Sequence, residues 1–242
     1  MGRHDIGRQL EGYAVLWDMD GVLVDSGDLH RRAWRRFLAA QGQPVSDEIF
    51  ERGFGRPNEQ VLPAYFGDLP KTEIRRLSEE KEACYRDLVR AEGASSTPGA
   101  LAWMARFAQA GLRQALATSG CRANADLIVD RMGIRPHLSA VVTSEDVTRG
   151  KPHPDVFLRT AARVSVPPSH CLVIEDSVHG VQAACAAGMR CVAIKTTHAA
   201  GKLDGADLVL PDMRAFSWAA WRMLFGGRWA ELLVGKQPVG AE

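Results

Sequence analysis

The sequence predicts an α/β fold in which a doubly wound parallel sheet carries an inserted, all-α helical cap. Three observations predict it: short apolar runs that each end in polar residues, helical patterns between those runs, and one long stretch without any strand pattern. Alternating strands and helices imply parallel strands joined by right-handed crossovers. A short, continuous apolar run is typical of a strand that is buried on both faces of such a sheet.

The strands and crossover helices follow one another in a regular order. The apolar runs that predict strands are residues 13–17, 112–117, 138–142, 171–174 and 191–194. The helical patterns between them are residues 99–110, 123–132, 154–164 and 178–187. These elements make up a Rossmann-like core that we expect to span residues 1–26 and 98–242.

The stretch between the first and second strands interrupts this alternation. Residues 27–97 contain only helical patterns, at 28–42, 46–52, 58–65 and 72–92, and Gly93 is a typical helix stop. We therefore expect residues 27–97 to form a helical cap domain. The polar residues 93–98 that follow are expected to link it to the core.

Composition disfavours several classes of partner. The chain has 242 residues, 30 Lys plus Arg and 29 Asp plus Glu, so it lacks the field that nucleic acid or an anionic membrane requires. The N-terminus has no apolar run long enough for a signal peptide or a membrane span, which predicts a cytoplasmic protein.

The tryptophan-rich C-terminal segment predicts a packed terminal helix, or less favourably a dimer surface. We therefore expect a monomer or a weak homodimer.

The cysteines give no sign of a disulfide framework or a zinc site. They are odd in number, far apart and without a C-x-x-C pair, which predicts buried thiols in a reducing compartment. The five are Cys84, Cys121, Cys171, Cys185 and Cys191.

Acidic residues follow the ends of two predicted strands. Because the carboxyl ends of parallel strands share one crevice, Asp18, Asp20, Glu175 and Asp176 should converge there, with Lys151 as the one clear cation. A phosphate monoester would add about −1.5 to −2 charges, and the pocket would repel it unless a divalent cation were bound. Hard oxygen ligands favour Mg²⁺. We expect Asp18, the Asp20 carbonyl and Asp176 to bind Mg²⁺, and Glu175 to bind it directly or through water.

Four motifs in a fixed order carry a family resemblance. The run Asp18-Met-Asp-Gly-Val-Leu-Val-Asp-Ser26 precedes Thr118, then Lys151 in Gly-Lys-Pro-His-Pro-Asp, then Glu175-Asp-Ser177. Over residues 13 to about 210 the chain resembles the haloacid dehalogenase superfamily. Its likeness is to the branch that contains β-phosphoglucomutase, phosphoglycolate phosphatase and small sugar-phosphate phosphatases.

The resemblance implies a role for each motif residue. Asp18 would be the nucleophile that becomes an aspartyl phosphate, as carboxylates do in other enzymes. Asp20 would be the general acid and then the general base, with its pKa raised by neighbouring carboxylates. Thr118, Lys151 and the backbone N–H groups near Ser119 would bind the phosphoryl oxygens.

Three residues of the predicted cap lie where related enzymes contact their substrates. They are His30, Arg56 and Lys81. An ordinary surface or core histidine remains an equal alternative for His30, and Asn58 competes with Arg56 for the same role.

The residues after the second strand favour hydrolysis over mutase chemistry. β-Phosphoglucomutases read Ser-Ala-Ser-Lys-Asn where this chain reads Thr118-Ser-Gly-Cys-Arg122. A mutase must seat a second phosphate under the cap, and of the replacements Gly120, Cys121 and Arg122 only the arginine could bind one. We therefore predict a Mg²⁺-dependent phosphatase of a small phosphorylated metabolite, such as a sugar phosphate. A sugar-phosphate mutase and a non-catalytic Mg²⁺-binding scaffold remain alternatives.

One departure from the family pattern precedes the nucleophile. Trp17 stands where phenylalanine is usual. We expect it to be tolerated as another large aromatic residue.

Overall fold

One parallel sheet organises the chain. The computed structural model describes Leu10 and residues 12–45, 57–197 and 202–226. Its strands are β1 (Ala14–Trp17), β2 (Arg113–Ala117), β3 (Ala140–Val142), β4 (Cys171–Glu175), β5 (Arg190–Ile194) and β6 (Leu208–Leu210). They lie in the order β3-β2-β1-β4-β5-β6, so the winding reverses beside β1. The predicted doubly wound α/β fold is confirmed.

The sixth strand, β6, was not among the predicted strands. It has three residues, pairs only with β5 at the sheet edge, and keeps two of its side chains half-exposed. A run this short and this exposed gives no clear apolar pattern.

Helices connect the strands and form the predicted cap. Those between strands or after the sheet are α5 (Ala100–Gln109), α6 (Arg122–Arg131), α7 (Asp155–Arg163), α8 (Val178–Ala186) and α9 (Trp218–Phe225). Those between β1 and β2 are α1 (Gly27–Ala40), α2 (Asn58–Val61), α3 (Pro63–Phe66) and α4 (Lys71–Glu92). The predicted helix at 46–52 lies outside the described residues.

Both faces of the sheet are covered. Alternate residues of a strand point to opposite faces. Val15 and Trp17 accordingly join one hydrophobic cluster, whereas Ala14 and Leu16 join another, and all four are fully buried. This burial explains why β1 reads as an unbroken apolar run.

Trp17 makes a specific polar contact within the core. Its indole Nε1 donates a hydrogen bond to Gln114 Oε1 at 3.0 Å, and Gln114 Nε2 donates to the Met104 carbonyl at 2.9 Å. The tryptophan therefore joins β1, β2 and α5 through one buried amide.

The helices between β1 and β2 contain a small hydrophobic cluster of their own. It is formed by Trp34, Phe37, Leu38, Val61, Leu62 and Leu77. The two connections to the sheet run side by side, because Asp25 N donates to the Ser95 carbonyl at 2.9 Å and Val24 pairs antiparallel with Ser96. We retain the domain boundaries after residue 26 and before residue 98 as a prediction.

The cysteines form no disulfide. Cys171 and Cys191 are buried as predicted, but Cys84 and Cys121 are half-buried and Cys185 is exposed. The expectation of five buried thiols was wrong for these three, which lie on helices or at a helix start with one side open to solvent. Among the described helices, none combines the length and apolarity that a membrane span requires.

The last described helix packs through aromatic rings. Trp221 is fully buried, with its ring centroid 5.7 Å from that of Phe107 and 4.6 Å from that of Phe225. Trp218 adds a contact with Trp103 at 5.4 Å. Trp229 lies outside the described residues.

We expect Trp221→Ala to lower the free energy of unfolding by about 3–5 kcal/mol, because it leaves a cavity among packed rings. Met223→Ala on the same helix is the control; Met223 is 64% exposed, and its replacement should cost less than about 0.5 kcal/mol. Urea unfolding of both variants measures the difference. Equal losses would show that α9 does not contribute its buried face to the core.

Candidate active site

The site begins where the central strand β1 ends. Asp18 is 7% exposed, and its backbone N–H donates to the Ile174 carbonyl of β4 at 3.0 Å, which fixes the start of the loop. Gly21 follows with φ of +76°, and a Cβ there would lie 1.9 Å from Asp176 Oδ2. Only glycine can therefore make this turn against Asp176.

Lys151 joins the ends of the two central strands. Its Nζ lies 2.6 Å from Asp18 Oδ1, 2.6 Å from Glu175 Oε1 and 3.2 Å from the Ala117 carbonyl. An ammonium group has three donors, so each of them is used. The ammonium also lies 4.9 Å from the centroid of the Phe157 ring. Residues 133 positions apart in the chain thus share one buried ion pair.

Glu175 is fully buried and satisfied at both oxygens. Oε1 accepts from Lys151, while Oε2 accepts from the backbone N–H groups of Asp176 and Ser177 at 2.8 and 2.9 Å. Gly180 makes room for it, since a Cβ there would lie 1.8 Å from the carboxyl carbon. Ser177 Oγ also caps helix α8 by accepting from Gly180 N. The carboxylate therefore holds Lys151 and orders the following turn.

The crowded carboxylates shift one another's proton affinity. Burial raises the pKa of Asp18 to about 7; Lys151 opposes this rise, and the charges of Glu175 and Asp20 add to it. Burial, with Glu175 and Asp18, also raises the pKa of Asp176. Burial would lower the pKa of Lys151, but the two carboxylates outweigh it and raise that pKa. More negative than positive charge therefore meets at this point.

These carboxylates have the chemistry of a hard-cation site. Asp18, Glu175 and Asp176 each place an oxygen within 4.8 Å of the others, and all three are buried. Oxygen donors with surplus negative charge suit Mg²⁺. Because both Glu175 oxygens already have partners, Asp18 and Asp176 are the better direct ligands, and Glu175 fits an indirect role.

Asp20 is held by donors from α1 and its N-terminus. Oδ1 accepts from Ser26 Oγ at 2.5 Å and lies 3.3 Å from His30 Nε2. Burial favours a higher pKa, but the hydrogen bonds and charge from His30 and the Ser26 hydroxyl outweigh it, so the pKa of Asp20 is lowered. The expectation of a raised pKa was wrong for this conformation, because His30 and Ser26 together outweigh burial and the charge of Glu82.

Thr118 lies at the end of β2, as predicted. It is buried, and its Oγ1 accepts from Gly120 N at 2.9 Å, which leaves its hydroxyl proton free to be donated. A Cβ on Gly120 would lie 3.9 Å from Asp20 Oδ2, so this loop reaches the first motif. Ser119 is exposed between them.

Two predicted cap residues meet beside Asp20. Lys81 Nζ lies 2.9 Å from His30 Nδ1, and because Lys81 can only donate, the ring carries its proton on Nε2, facing Asp20. The imidazole stacks on Tyr85 with 4.0 Å between centroids. Lys81 also pairs with Glu82 Oε1 at 2.8 Å. His30 is thus neither a free surface histidine nor an apolar core residue.

The Arg122 side chain is held by groups outside the four motifs. The Arg122 guanidinium pairs with Asp146 at 2.5 Å and donates to the Val141 carbonyl, so β3 and its loop hold it. Its predicted contact with substrate would require this pair to open. Arg56 lies outside the described residues, so its role stays a prediction. Asn58, its competitor, donates to Glu82 Oε1 at 2.9 Å.

Two threonines after β5 were missed at the sequence level. Thr197 Oγ1 donates to Asp176 Oδ2, and Thr196 Oγ1 donates to the Gly21 carbonyl at 2.6 Å. They hold the fourth motif and the turn of the first motif in place. Their position directly after the predicted strand 191–194 was the available signal, since strand ends line the crevice.

Comparisons with known proteins agree with this geometry. A family model described as haloacid dehalogenase-like hydrolase matches residues 14–188. Fructose-1-phosphate phosphatase YqaB of Escherichia coli K12 is 31% identical over 188 residues, which cover 76% of this chain and 98% of that protein. β-Phosphoglucomutase of Bacillus subtilis 168 is 30% identical, covering 81% and 88%. The crystal structure of Rhodobacter sphaeroides CbbY with phosphate has a TM-score of 0.77 at 25% identity, covering 84% and 95%.

Asp176→Asn should stabilise the metal-free protein. An unfolded chain ionises this carboxyl near its ordinary pKa of 3.8, whereas the folded protein keeps it protonated to higher pH, so folding loses stability as pH rises above that value. At about pH 8 in EDTA we expect a gain of about 0.5–2 kcal/mol, shrinking towards pH 4.

Urea unfolding across this pH range measures the gain. Asp126→Asn, at an exposed aspartate that pairs with Arg135, is the control and should show no such pH-dependent gain. A destabilised Asp176→Asn variant at about pH 8 would contradict the charge surplus.

Proposed function

This chain belongs to the haloacid dehalogenase-like hydrolase family and is an enzyme of its phosphoric monoester hydrolase type, and on that premise we propose a Mg²⁺-dependent phosphatase of sugar phosphates or similar small phosphomonoesters. We further propose that the reaction passes through an aspartyl phosphate on Asp18. The observation that carries the proposal is the meeting of Asp18, Glu175 and Asp176 around Lys151 beside Asp20.

Mg²⁺ would be held by Asp18, Asp176 and the backbone carbonyl of Asp20. When bound, it supplies positive charge that offsets the converging carboxylates and a phosphate dianion. Thr197 keeps Asp176 oriented, and Lys151 keeps one Asp18 oxygen fixed. Partners of this kind commonly matter for metal affinity almost as much as the ligands themselves.

The first step transfers the phosphoryl group to the enzyme. Because Lys151 occupies Asp18 Oδ1, Oδ2 is the oxygen that forms the new bond to phosphorus while the ester P–O bond breaks. Asp20 is the general acid of this step: it must first take up a proton, against its lowered pKa in this conformation, and it then passes that proton to the leaving oxygen to give the free alcohol. The Thr118 hydroxyl and nearby backbone N–H groups stabilise the phosphoryl oxygens, each contributing roughly 2.7–4 kcal/mol in comparable sites.

The second step returns the enzyme to its starting state. Asp20, now a carboxylate, takes a proton from the water that attacks phosphorus, and the bond to Asp18 breaks as inorganic phosphate forms. The hydrogen bonds from His30 and Ser26 lower the pKa of Asp20 despite its burial. A lowered pKa favours the carboxylate, which is the form that acts as the general base. His30 holds its proton on the nitrogen that faces Asp20.

The substrate class rests on the relatives and on the loop after β2. One relative is named as a fructose-1-phosphate phosphatase and another as a β-phosphoglucomutase, so a sugar phosphate is the favoured substrate. Gly120 and Cys121 lack phosphate-binding groups, and Arg122 is paired with Asp146, which favours hydrolysis over a mutase. A monomeric or weakly dimeric cytoplasmic enzyme remains our prediction.

Asp18→Asn should abolish phosphate release from p-nitrophenyl phosphate with Mg²⁺, because an amide cannot act as the nucleophile. Asp20→Asn should lower kcat by about 10²- to 10⁴-fold. EDTA should remove the activity, and added Mg²⁺ should restore it. Asp28→Asn, at an exposed aspartate on α1, is the control and should leave the rate unchanged.

A screen of phosphorylated metabolites scored for both phosphate release and isomerisation separates the alternatives. Isomerisation without release would identify a mutase. A wild-type protein that neither releases phosphate from any compound nor isomerises one would support the scaffold and overturn the proposal.

Thr197→Val should weaken Mg²⁺ binding about 10- to 100-fold, because Asp176 loses the hydroxyl that orients it. Isothermal titration calorimetry with Mg²⁺ alone measures this without substrate. Thr197→Ser keeps the hydroxyl and should restore most of the affinity. Equal affinities in the valine variant and the wild type would exclude this role.

A further inference from the structure

The cap contains a buried cation that is already paired. Lys81 is 2% exposed, and its Nζ lies 2.8 Å from Glu82 Oε1 and 2.9 Å from His30 Nδ1. The ammonium also lies 5.4 Å from the centroid of the Trp34 ring. Lys81 is therefore fixed in place, with a carboxylate as its immediate neighbour.

Glu82 is held as an anion by donors from several elements. Oε1 accepts from Lys81 and from Asn58 Nδ2 at 2.9 Å, and Oε2 accepts from Asn124 Nδ2 of the core helix α6 at 2.6 Å. Burial favours a raised pKa for Glu82, but Lys81, His30 and these hydrogen bonds outweigh it and lower that pKa to about 2. The carboxylate is ionised throughout the physiological pH range.

This pair lies on the Asp20 side of the site. Only His30 separates Lys81 from Asp20, which would protonate the departing alcohol. A sugar-sized alcohol that extended from Asp20 past His30 would reach the Lys81–Glu82 pair. The charge of this pair then acts on whatever groups the alcohol carries.

The positive charges described on this side each have their own carboxylate. Lys81 pairs with Glu82, and Arg86 pairs with Glu79 and donates to Asn124 Oδ1 at 3.1 Å. His30 faces the Asp20 carboxylate, with its Nε2 3.3 Å from Asp20 Oδ1. A second phosphate on the substrate would meet the Lys81–Glu82 pair as a neutral unit, with an ionised carboxylate beside the ammonium.

We propose that Glu82 is a specificity-determining residue, which neutralises Lys81 and so selects phosphomonoesters whose leaving alcohol carries no second anionic group. Neutral sugar and polyol monophosphates fit this requirement, whereas sugar bisphosphates and carboxylated phosphomonoesters do not. The inference rests on the proposed phosphatase activity and deepens it. It also disfavours mutase chemistry, since a mutase must retain a bisphosphate under the cap.

The test compares two substrates that differ only in a second phosphate: fructose 1-phosphate and fructose 1,6-bisphosphate. The wild type should have the higher kcat/KM for the monophosphate. Glu82→Gln keeps the shape of the side chain and frees the Lys81 charge, so it should raise kcat/KM for the bisphosphate relative to the monophosphate by about tenfold. If circular dichroism shows that Glu82→Gln is unfolded, Glu82→Asn serves as the test variant instead, because it removes the same charge.

Asp87→Asn is the matched control, because it removes a carboxylate of the same helix whose side chain is 53% exposed and whose partner Arg90 is 54% exposed. Solvent screens that charge, so the substrate ratio should not change. A wild type that hydrolyses both sugars equally, or a folded Glu82 variant with the wild-type ratio, would overturn the inference. Phosphate release from no compound at all would instead overturn the proposed function.

Discussion

The arrangement of the site depends on one buried ammonium group. Lys151 makes ionic contacts with Asp18 and Glu175, which end the two central strands of the sheet. Without that charge, acidic groups at neighbouring strand ends would repel one another in a medium that screens them poorly. The ion pair therefore allows β1 and β4 to lie side by side although a buried carboxylate is found at the carboxyl end of each strand. The surplus that remains is what a divalent cation would neutralise.

The sequence predicted the sheet and the motif residues because both follow from local rules. Buried strands such as β1 read as apolar runs, and residues at their carboxyl ends share a crevice whatever their separation in the chain. Asp18, Thr118 and Glu175 could be identified in this way. The short edge strand β6 gave no comparable pattern, because a half-exposed strand of three residues resembles a loop.

Contacts that depend on side-chain direction could not be predicted. The pKa of Asp20 is lowered because His30 and Ser26 point their donors at it, and nothing in the sequence fixes those rotamers. Glu82 and Asn124 lie 42 positions apart on different helices, and only the folded chain shows that they meet. The roles of Arg56 and Arg122 depended on family alignment, and Arg122 is instead engaged by Asp146.

The indole of Trp17 has a consequence for how this chain can vary. Gln114 is 1% exposed, and its carbonyl oxygen accepts from Trp17 while its amide nitrogen donates to Met104. A phenylalanine at position 17 would leave that oxygen buried without a donor, which costs about 1–3 kcal/mol. The aromatic residue before Asp18 is thus not freely exchangeable. A smaller ring at position 17 would therefore need a second change at position 114 that removes the unpaired oxygen.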